Sequence, residues 1–399
     1  MTIIERFINY VKIDTQSDPN STTFPSTLKQ KELGKLLLNE LIDLKVEAFM
    51  DDYGYVYAKI PKTVNGKPAI GFIAHMDTSF DAPGANVNPR IINNYDGLEI
   101  KLNDTLSMNK ETFPGLKDVI GDDIIVTDGN TLLGADNKAG IAIIMDFIKS
   151  IITEKPPHGD IFIAFTPDEE IGRGTDFFDL NFFKAEFAYT VDGGKVGSIE
   201  FENFNASSAK VTLVGKSIHP GDAKNRLINS MHVAFKFHSM LPTFLDPANT
   251  EGKEGFNHLS NIKGEVEKTE LHYIIRNHNY EDFEKQQNDF YSIRDYLNNY
   301  YNYEICFVDI KESYLNMYEI LKKDMTPVTL AKNAIKKVGL TPENLPIRGG
   351  TDGAQLTYKG LPCPNLGTGG YNFHGRFEFV SINQMKKAVL ILGEIIKNS

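Results

Sequence analysis

Cysteine is almost missing from this 399-residue chain: Cys306 and Cys363 are the only two. One distant pair gives neither a disulfide framework nor a CxxC metal site, so any metal must be held by His, Asp and Glu. Basic charge is also short. There are 42 Lys and Arg against 53 Asp and Glu, a formal net charge of −11, and no local basic cluster stands out. Such a surface repels a phosphate backbone, which excludes nucleic acid as a partner. No apolar run approaches membrane-spanning length, so no membrane partner is expected. Several catalytic signatures are absent: there is no HExxH helix, no G-x-S-x-G elbow and no G-x-G-x-x-G turn. The stretch Val214-Gly215-Lys216-Ser217 imitates the end of a phosphate-binding loop, but Lys210 stands where its first glycine is required.

What is present points to a globular enzyme. The chain is 41% hydrophobic, enough for at least one large core and for two or three domains. It opens MTIIERFINYVKID, with Ile4, Phe7, Ile8 and Val11 at helical spacing and charges throughout. That pattern reads as an amphipathic helix and not a signal peptide, making the cytoplasm the expected location.

Apolar, β-branched runs at GYVYAKI, AIGFIAH, DIFIAFT and EFAYTV predict strands. Between the second and third, ADNKAGIAIIMDFIKSII carries Ile143, Phe147 and Ile151 at i, i+4 and i+8 and stops before Pro156 and Pro157, which predicts a helix. The alternation argues for an α/β sheet. Near Asn205 the texture changes to SAKVTLVGKSIHP, a helix MHVAFKFHSML, a strand LHYIIRNHN and a stretch running to CFVDI, a second unit of α+β character that looks inserted. The expected division is therefore a catalytic domain over 1–204, an inserted domain over 205–316 and the rest of the catalytic domain over 317–399. LNNYYNYE is expected to be a surface turn and edge strand.

Five places carry residues suited to chemistry. His75 and Asp77 end a predicted strand two residues apart, so the carboxylate can orient the imidazole; a surface histidine is the simpler reading. Asp136 in LLGADNKAG opens a helix, where an N-cap role competes with a ligand role. Asp168, Glu169 and Glu170 in TPDEEIGRG follow a strand directly, where α/β sheets place their ligands, against the alternative of a solvated acidic loop. Asp192 in YTVDGG ends another strand. His374 lies among aromatics and glycines in GGYNFHGRFEF, where a core histidine is common. The joint pattern carries the inference. If Asp77, Asp136, Glu169, Glu170 and Asp192 converge, each pair about 4 Å apart repels by roughly 4 kcal/mol at an effective dielectric near 20, so the cluster requires protons or cations. Two Zn²⁺ ions, three carboxylates, a hydroxide and two neutral imidazoles balance in charge.

Five ordered blocks, AHMDTS, LLGADNKAGIA, TPDEEIGRG, TVDGG with the later SIHPGDAKN, and RGGTDGAQL with GTGGYNFHGRFEF, resemble the M20 family of metallopeptidases over essentially the full chain. The resemblance implies a zinc-exopeptidase-like α/β catalytic domain with a mixed sheet, interrupted by an α+β lid that also forms a homodimer. It implies an aminopeptidase acting on short peptides, chiefly tripeptides, with two Zn²⁺ per subunit; Co²⁺ or Mn²⁺ compete for the same N and O ligands. By motif, Asp136 would bridge the metals, His75 and Asp192 would complete one site, and Glu170 and His374 the other. Glu169 would be the general base and Asp77 would orient His75. His219 of SIHPG is similar to the family histidine that reaches a neighbouring active site to stabilise the tetrahedral intermediate. Arg276 of YIIRNHN is similar to the residue that pairs with the substrate's C-terminal carboxylate. Their simpler readings are an exposed loop histidine and half of a surface ion pair. One departure is Asn225, where the family pattern has glycine. The competing functions are a related dipeptidase or N-acyl amino acid deacylase, and a catalytically silent metal-binding protein; intact Glu169 weighs against the second. An α/β protein without metal is the simplest alternative.

Overall fold

The computed structural model describes residues 1–399. The chain divides into two compact units, one of residues 1–201, 319–345 and 351–399, the other of residues 202–318 and 346–350. The five-residue return at 346–350 has no counterpart in the sequence-based division.

The first unit is built on an eight-stranded sheet. In chain order its strands are β1 (Glu47–Met50), β2 (Val56–Ile60), β3 (Ile70–His75), β4 (Ile161–Thr166), β5 (Phe187–Gly193), β6 (Ser198–Glu200), β7 (Glu343–Asn344) and β8 (Asn365–Gly367). In space they run β1-β2-β4-β3-β5-β8-β6-β7. β4, β3, β5 and β8 are mutually parallel, whereas β2 is antiparallel to β4 and β6 is antiparallel to β8, so the sheet is mixed, as expected. Every residue of β3 and β4 is buried, which explains their continuous apolar runs: a parallel strand covered on both faces has no solvent side to make polar.

Adjacent residues of β3 serve opposite faces. Phe72 packs on Phe147 of the helix Ala135–Glu154, ring centroids 5.1 Å apart. Ile73 joins Tyr57, Ala164, Phe183 and Leu356 in the cluster on the other face. Each fully buried side chain of this size contributes roughly 1.5–3 kcal/mol relative to exposure, so packing more than propensity holds the long helix. Close approach is obligatory at its start. A Cβ on Gly140 would lie 1.9 Å from the carbonyl oxygen of Val191 in β5.

A smaller antiparallel sheet of the same unit has the strand order Gly370–Tyr371, Phe379–Ser381, Ile124–Val126, Arg90–Ile92. It rests on its own core of Tyr95, Leu116, Val119, Val126 and Phe379. It therefore ties the segment leading towards Asp136 to the hairpin that carries His374.

The second unit is a four-stranded antiparallel sheet, ordered Phe256–Gly264, Lys268–Asn277, Asn205–Val214, Cys306–Tyr314. Strand Lys268–Asn277 alternates buried and less buried residues along most of its length. Its buried set, Leu271, Tyr273 and Ile275, packs with Val211, Leu213, Val233, Phe237, Phe283 and Phe290, the last four from helices Ser230–Met240 and Tyr280–Tyr301. One expectation needs correction. The first half of LNNYYNYE belongs to the helix, not to an edge strand: Phe290, Ile293 and Leu297 continue its buried stripe to Tyr301, and Asn302 ends it in the left-handed conformation. Asn298 then turns the chain, its Oδ1 accepting from Ile305 N (2.9 Å) and Cys306 N (2.8 Å). Asn225, where the family pattern has glycine, has φ +58°, a conformation asparagine tolerates better than most residues. No helix in the protein is long and apolar enough to cross a membrane.

Candidate metal centre

Because β3, β4, β5 and β8 are parallel, their C-terminal ends share one edge of the sheet, the usual ligand edge of α/β folds. β3 delivers His75, β4 leads into Glu169 and Glu170, and β5 carries Asp192. Asp136 enters from the start of the long helix and His374 from the hairpin of the small sheet.

Five of these six side chains form two groups of three whose ligand atoms lie within 4.8 Å of one another: His75, Asp136 and Asp192, and Asp136, Glu170 and His374. Asp136 belongs to both. Its Oδ1 lies 2.8 Å from His75 Nε2 and its Oδ2 3.4 Å from His374 Nε2. His75 Nε2 is also 3.3 Å from Asp192 Oδ1, and His374 Nε2 is 2.9 Å from Glu170 Oε2. Asp136 is no helix cap. The N-cap is Gly134, with φ +82° and no side-chain cap bond, and Asp136 keeps non-helical torsions.

Asp77 lies just past the end of β3 and is fully buried. Its carboxylate is 3.3 Å from His75 Nδ1, and its carbonyl oxygen is 3.1 Å from the same nitrogen. Two acceptors at Nδ1 hold a proton there, so Nε2, beside Asp136 and Asp192, is the nitrogen that a cation would take. The same carboxylate accepts the backbone N–H groups of Glu169 (3.0 Å) and Glu170 (3.1 Å). Asp77 thus sets both an imidazole and the acidic turn.

Asp168 does not face the cluster, although the sequence puts it in line with its neighbours. It sits at φ +58°, and its carboxylate accepts from Ser26 N (2.6 Å), Ser26 Oγ (2.5 Å) and Gln30 Nε2 (2.6 Å). His219 and Arg276 lie on the second unit. His219 is exposed and its Nδ1 accepts from Gly221 N at 3.1 Å. Arg276 Nη1 donates to the carbonyls of Ser207 (3.2 Å) and Ile275 (2.9 Å), and its guanidinium sits over the Tyr314 ring.

Three residues escaped the sequence reading. Asp81 lies 3.3 Å from His374 Nδ1 and so matches for this imidazole what Asp77 does for His75. Glu378 binds the loop before Asp136. Asp352 is buried and accepts from Thr166 Oγ1 at 2.8 Å. All three fall inside or beside blocks already singled out, but acidic residues in Gly-rich loops carry no local sign of what they bind.

The electrostatics of the cluster require protons or cations. Burial, then the charge of Asp136, pushes the Glu170 carboxyl up to about 8. Burial raises Asp192 to about 6 and holds Glu169 well above the carboxylate range, the latter despite the opposing His75 charge. Hydrogen bonds to Asp136 and Glu170 raise His374 to about 11. Burial opposes a charged His75, but Asp192, Asp136 and Asp77 outweigh it and hold it high. Glu170 Oε1 is buried without any hydrogen-bond partner, and buried Asp192 Oδ1 has only the 3.3 Å approach of His75 Nε2, outside hydrogen-bond geometry. Orphaned carboxylate oxygens beside two imidazoles, with one aspartate shared, fit a pair of divalent cations.

Water activation between two such cations is the chemistry of metal-assisted hydrolysis, and whole-chain comparison narrows the class. The chain belongs to peptidase family M20/M25/M40, whose model matches residues 127–398; it is a hydrolase of peptide bonds. Over 396 residues it is 50% identical to peptidase T of Clostridium perfringens (strain 13 / Type A), covering 98% of each chain. Among solved structures it is similar to the aminopeptidase PepT from Bacillus cereus, with a TM-score of 0.79 at 24% identity over 99% of this chain and 97% of that one. It is also similar to the YXEP protein of Bacillus subtilis, described as a dinuclear metal-binding peptidase of the M20 family, with a TM-score of 0.68 at 13% identity over 99% and 97%.

Proposed function

We propose that the protein is a tripeptide aminopeptidase of the peptidase T type, working in the cytoplasm with two zinc ions. One observation carries this reading: five ligands converge as two triads around a shared Asp136, with Glu169 held beside them by Asp77. His75, Asp136 and Asp192 would hold one ion, and Asp136, Glu170 and His374 the other. When bound, the ions supply Lewis acidity for the scissile carbonyl and lower the pKa of the attacking water.

The chain's own residues do the rest. Glu169 takes a proton from the attacking water and returns it to the departing amine as the C–N bond breaks. Burial raises its proton affinity in the metal-free protein. Asp77 and Asp81 hold the two imidazoles in the tautomers that face the ions. His219 would reach the active site of a neighbouring copy and donate to the developing oxyanion there, and Arg276 would pair with the substrate's C-terminal carboxylate, which would limit the peptide's length. The second unit acts as the lid and joins two copies in a homodimer. Phe235, Phe244 and Ile262 are exposed on it, and strand Phe256–Gly264 has an open edge.

The test is hydrolysis of a free tripeptide and its N-acetylated counterpart, with metal content measured and Glu169→Gln run alongside. Release of the free N-terminal residue, blocked by acetylation and reduced in the variant by about 10²–10⁴-fold with both metals retained, is expected. Cleavage of only the acylated substrate would assign a deacylase instead. Metal binding without either activity would make the protein a silent binder.

A further inference from the structure

The segment before Asp136 folds into a small nest. With Gly134 at φ +82° and Asp136 in extended torsions, the backbone N–H groups of Leu133, Gly134 and Asp136 converge, as successive amides do in anion-binding loops. What fills the nest is a side chain from the far end of the sequence. Glu378 Oε2 accepts from Leu133 N and Gly134 N, both at 2.8 Å, and Oε1 accepts from Asp136 N at 2.9 Å. Glu378 is 1% exposed, so these bonds are dry and poorly replaced by water.

Glu378 also sits four residues after His374, on the same tight turn. Asn372 Nδ2 donates to Phe377 O (3.0 Å) and Glu378 N to Gly375 O (3.3 Å). The strand that follows, Phe379–Ser381, pairs with Ile124–Val126. One carboxylate therefore fastens the loop presenting Asp136 to the turn presenting His374. We propose that Glu378 is a positioning residue that makes these two ligands a single mechanical unit, so that both metal sites depend on it.

This inference rests on the reading that the two triads bind metal. Its prediction separates Glu378 from an ordinary ligand. Loss of His374 weakens one site, because His374 belongs to one triad; loss of Glu378 weakens both, because Asp136 belongs to both. Glu378→Gln is the sharp substitution. An amide keeps the shape but offers one oxygen, so its NH₂ group confronts at least one of the three inward N–H donors.

The experiment is metal titration of the full chain with Co²⁺ against a chromophoric chelator, following the visible Co²⁺ spectrum, for the parent, His374→Ala and Glu378→Gln. Both dissociation constants are expected to weaken by about 10–100-fold in Glu378→Gln, with an altered Co²⁺ spectrum, and one of them in His374→Ala. Parent-like constants and spectrum in Glu378→Gln, with only a lower melting temperature, would overturn the inference and leave the metal reading intact. Failure of the parent to bind Co²⁺ would remove the metal reading itself. If Glu378→Gln does not fold, hydrogen exchange of the parent during Co²⁺ titration decides: segments 131–138 and 370–381 are expected to gain protection together, and protection at different metal equivalents refutes the coupling.

Discussion

Replacing Asp77 by asparagine tests the site's logic most directly, because the change is isosteric and its cost can be worked from three distances. In the parent, Oδ1 lies 3.0 Å from Glu169 N and 3.3 Å from His75 Nδ1, and Oδ2 lies 3.1 Å from Glu170 N. An asparagine must put its NH₂ where one oxygen was, and either orientation sets a donor against a donor. In a fully buried place that leaves an unmet N–H worth about 1–3 kcal/mol, and losing the charge weakens the remaining bonds by about 1 kcal/mol more. The total of about 2–4 kcal/mol corresponds to a factor of roughly 30–1,000. It should fall on affinity at the His75 and Asp192 site and on kcat/KM, because the same carboxylate orients the imidazole and the turn bearing Glu169. Chelator competition and steady-state kinetics on one tripeptide measure the two. Parent-like metal affinity together with parent-like kcat/KM in Asp77→Asn would refute the assignment of Asp77 as the orienting residue.

Other consequences concern pH, packing and the second unit. In the metal-free protein Glu170 rises to about 8, Asp192 to about 6 and His374 to about 11, so the native state holds protons that the unfolded chain releases. Stability from these groups is present in acid and is lost as pH rises, whereas cations that displace the protons gain. Melts of chelated and metal-loaded protein between about pH 5 and 8 should therefore diverge as pH rises; a difference that shrinks with pH contradicts this. Gly140→Ala drives a methyl into Val191 O, 1.9 Å from the ideal Cβ. It should cost roughly 1–3 kcal/mol and weaken the site holding Asp192, seen as a lower Tm and lower metal affinity. Arg276→Ala should raise KM for a tripeptide by about 10–100-fold and leave a C-terminally amidated tripeptide unaffected; equal losses on both would argue against carboxylate recognition.

Sequence by itself determined much of this protein. β3, β4 and β5 were legible because strands buried on both faces must be apolar throughout, and the candidate ligands His75 and Asp192 stood out at the ends of their runs, whereas the first acid after β4 is Asp168, which turns away from the cluster. The helix over Ala135–Glu154 was legible from its spacing, and near-absence of cysteine limited the donors to carboxylate and imidazole. Tertiary structure decided which acids do what. Asp168, Glu169 and Glu170 are neighbours in sequence, yet Asp168 turns to Ser26 and Gln30 while Glu170 turns to His374, because one left-handed residue reverses the side-chain directions. Asp136 reads equally well as a helix cap until the chain folds, and the role of Glu378 depends on amides 242–245 residues away. Local composition reports burial and hydrogen-bonding capacity. Which donor meets which acceptor is a matter of distance in space, and only the packed sheet, helix and hairpin bring those partners within reach.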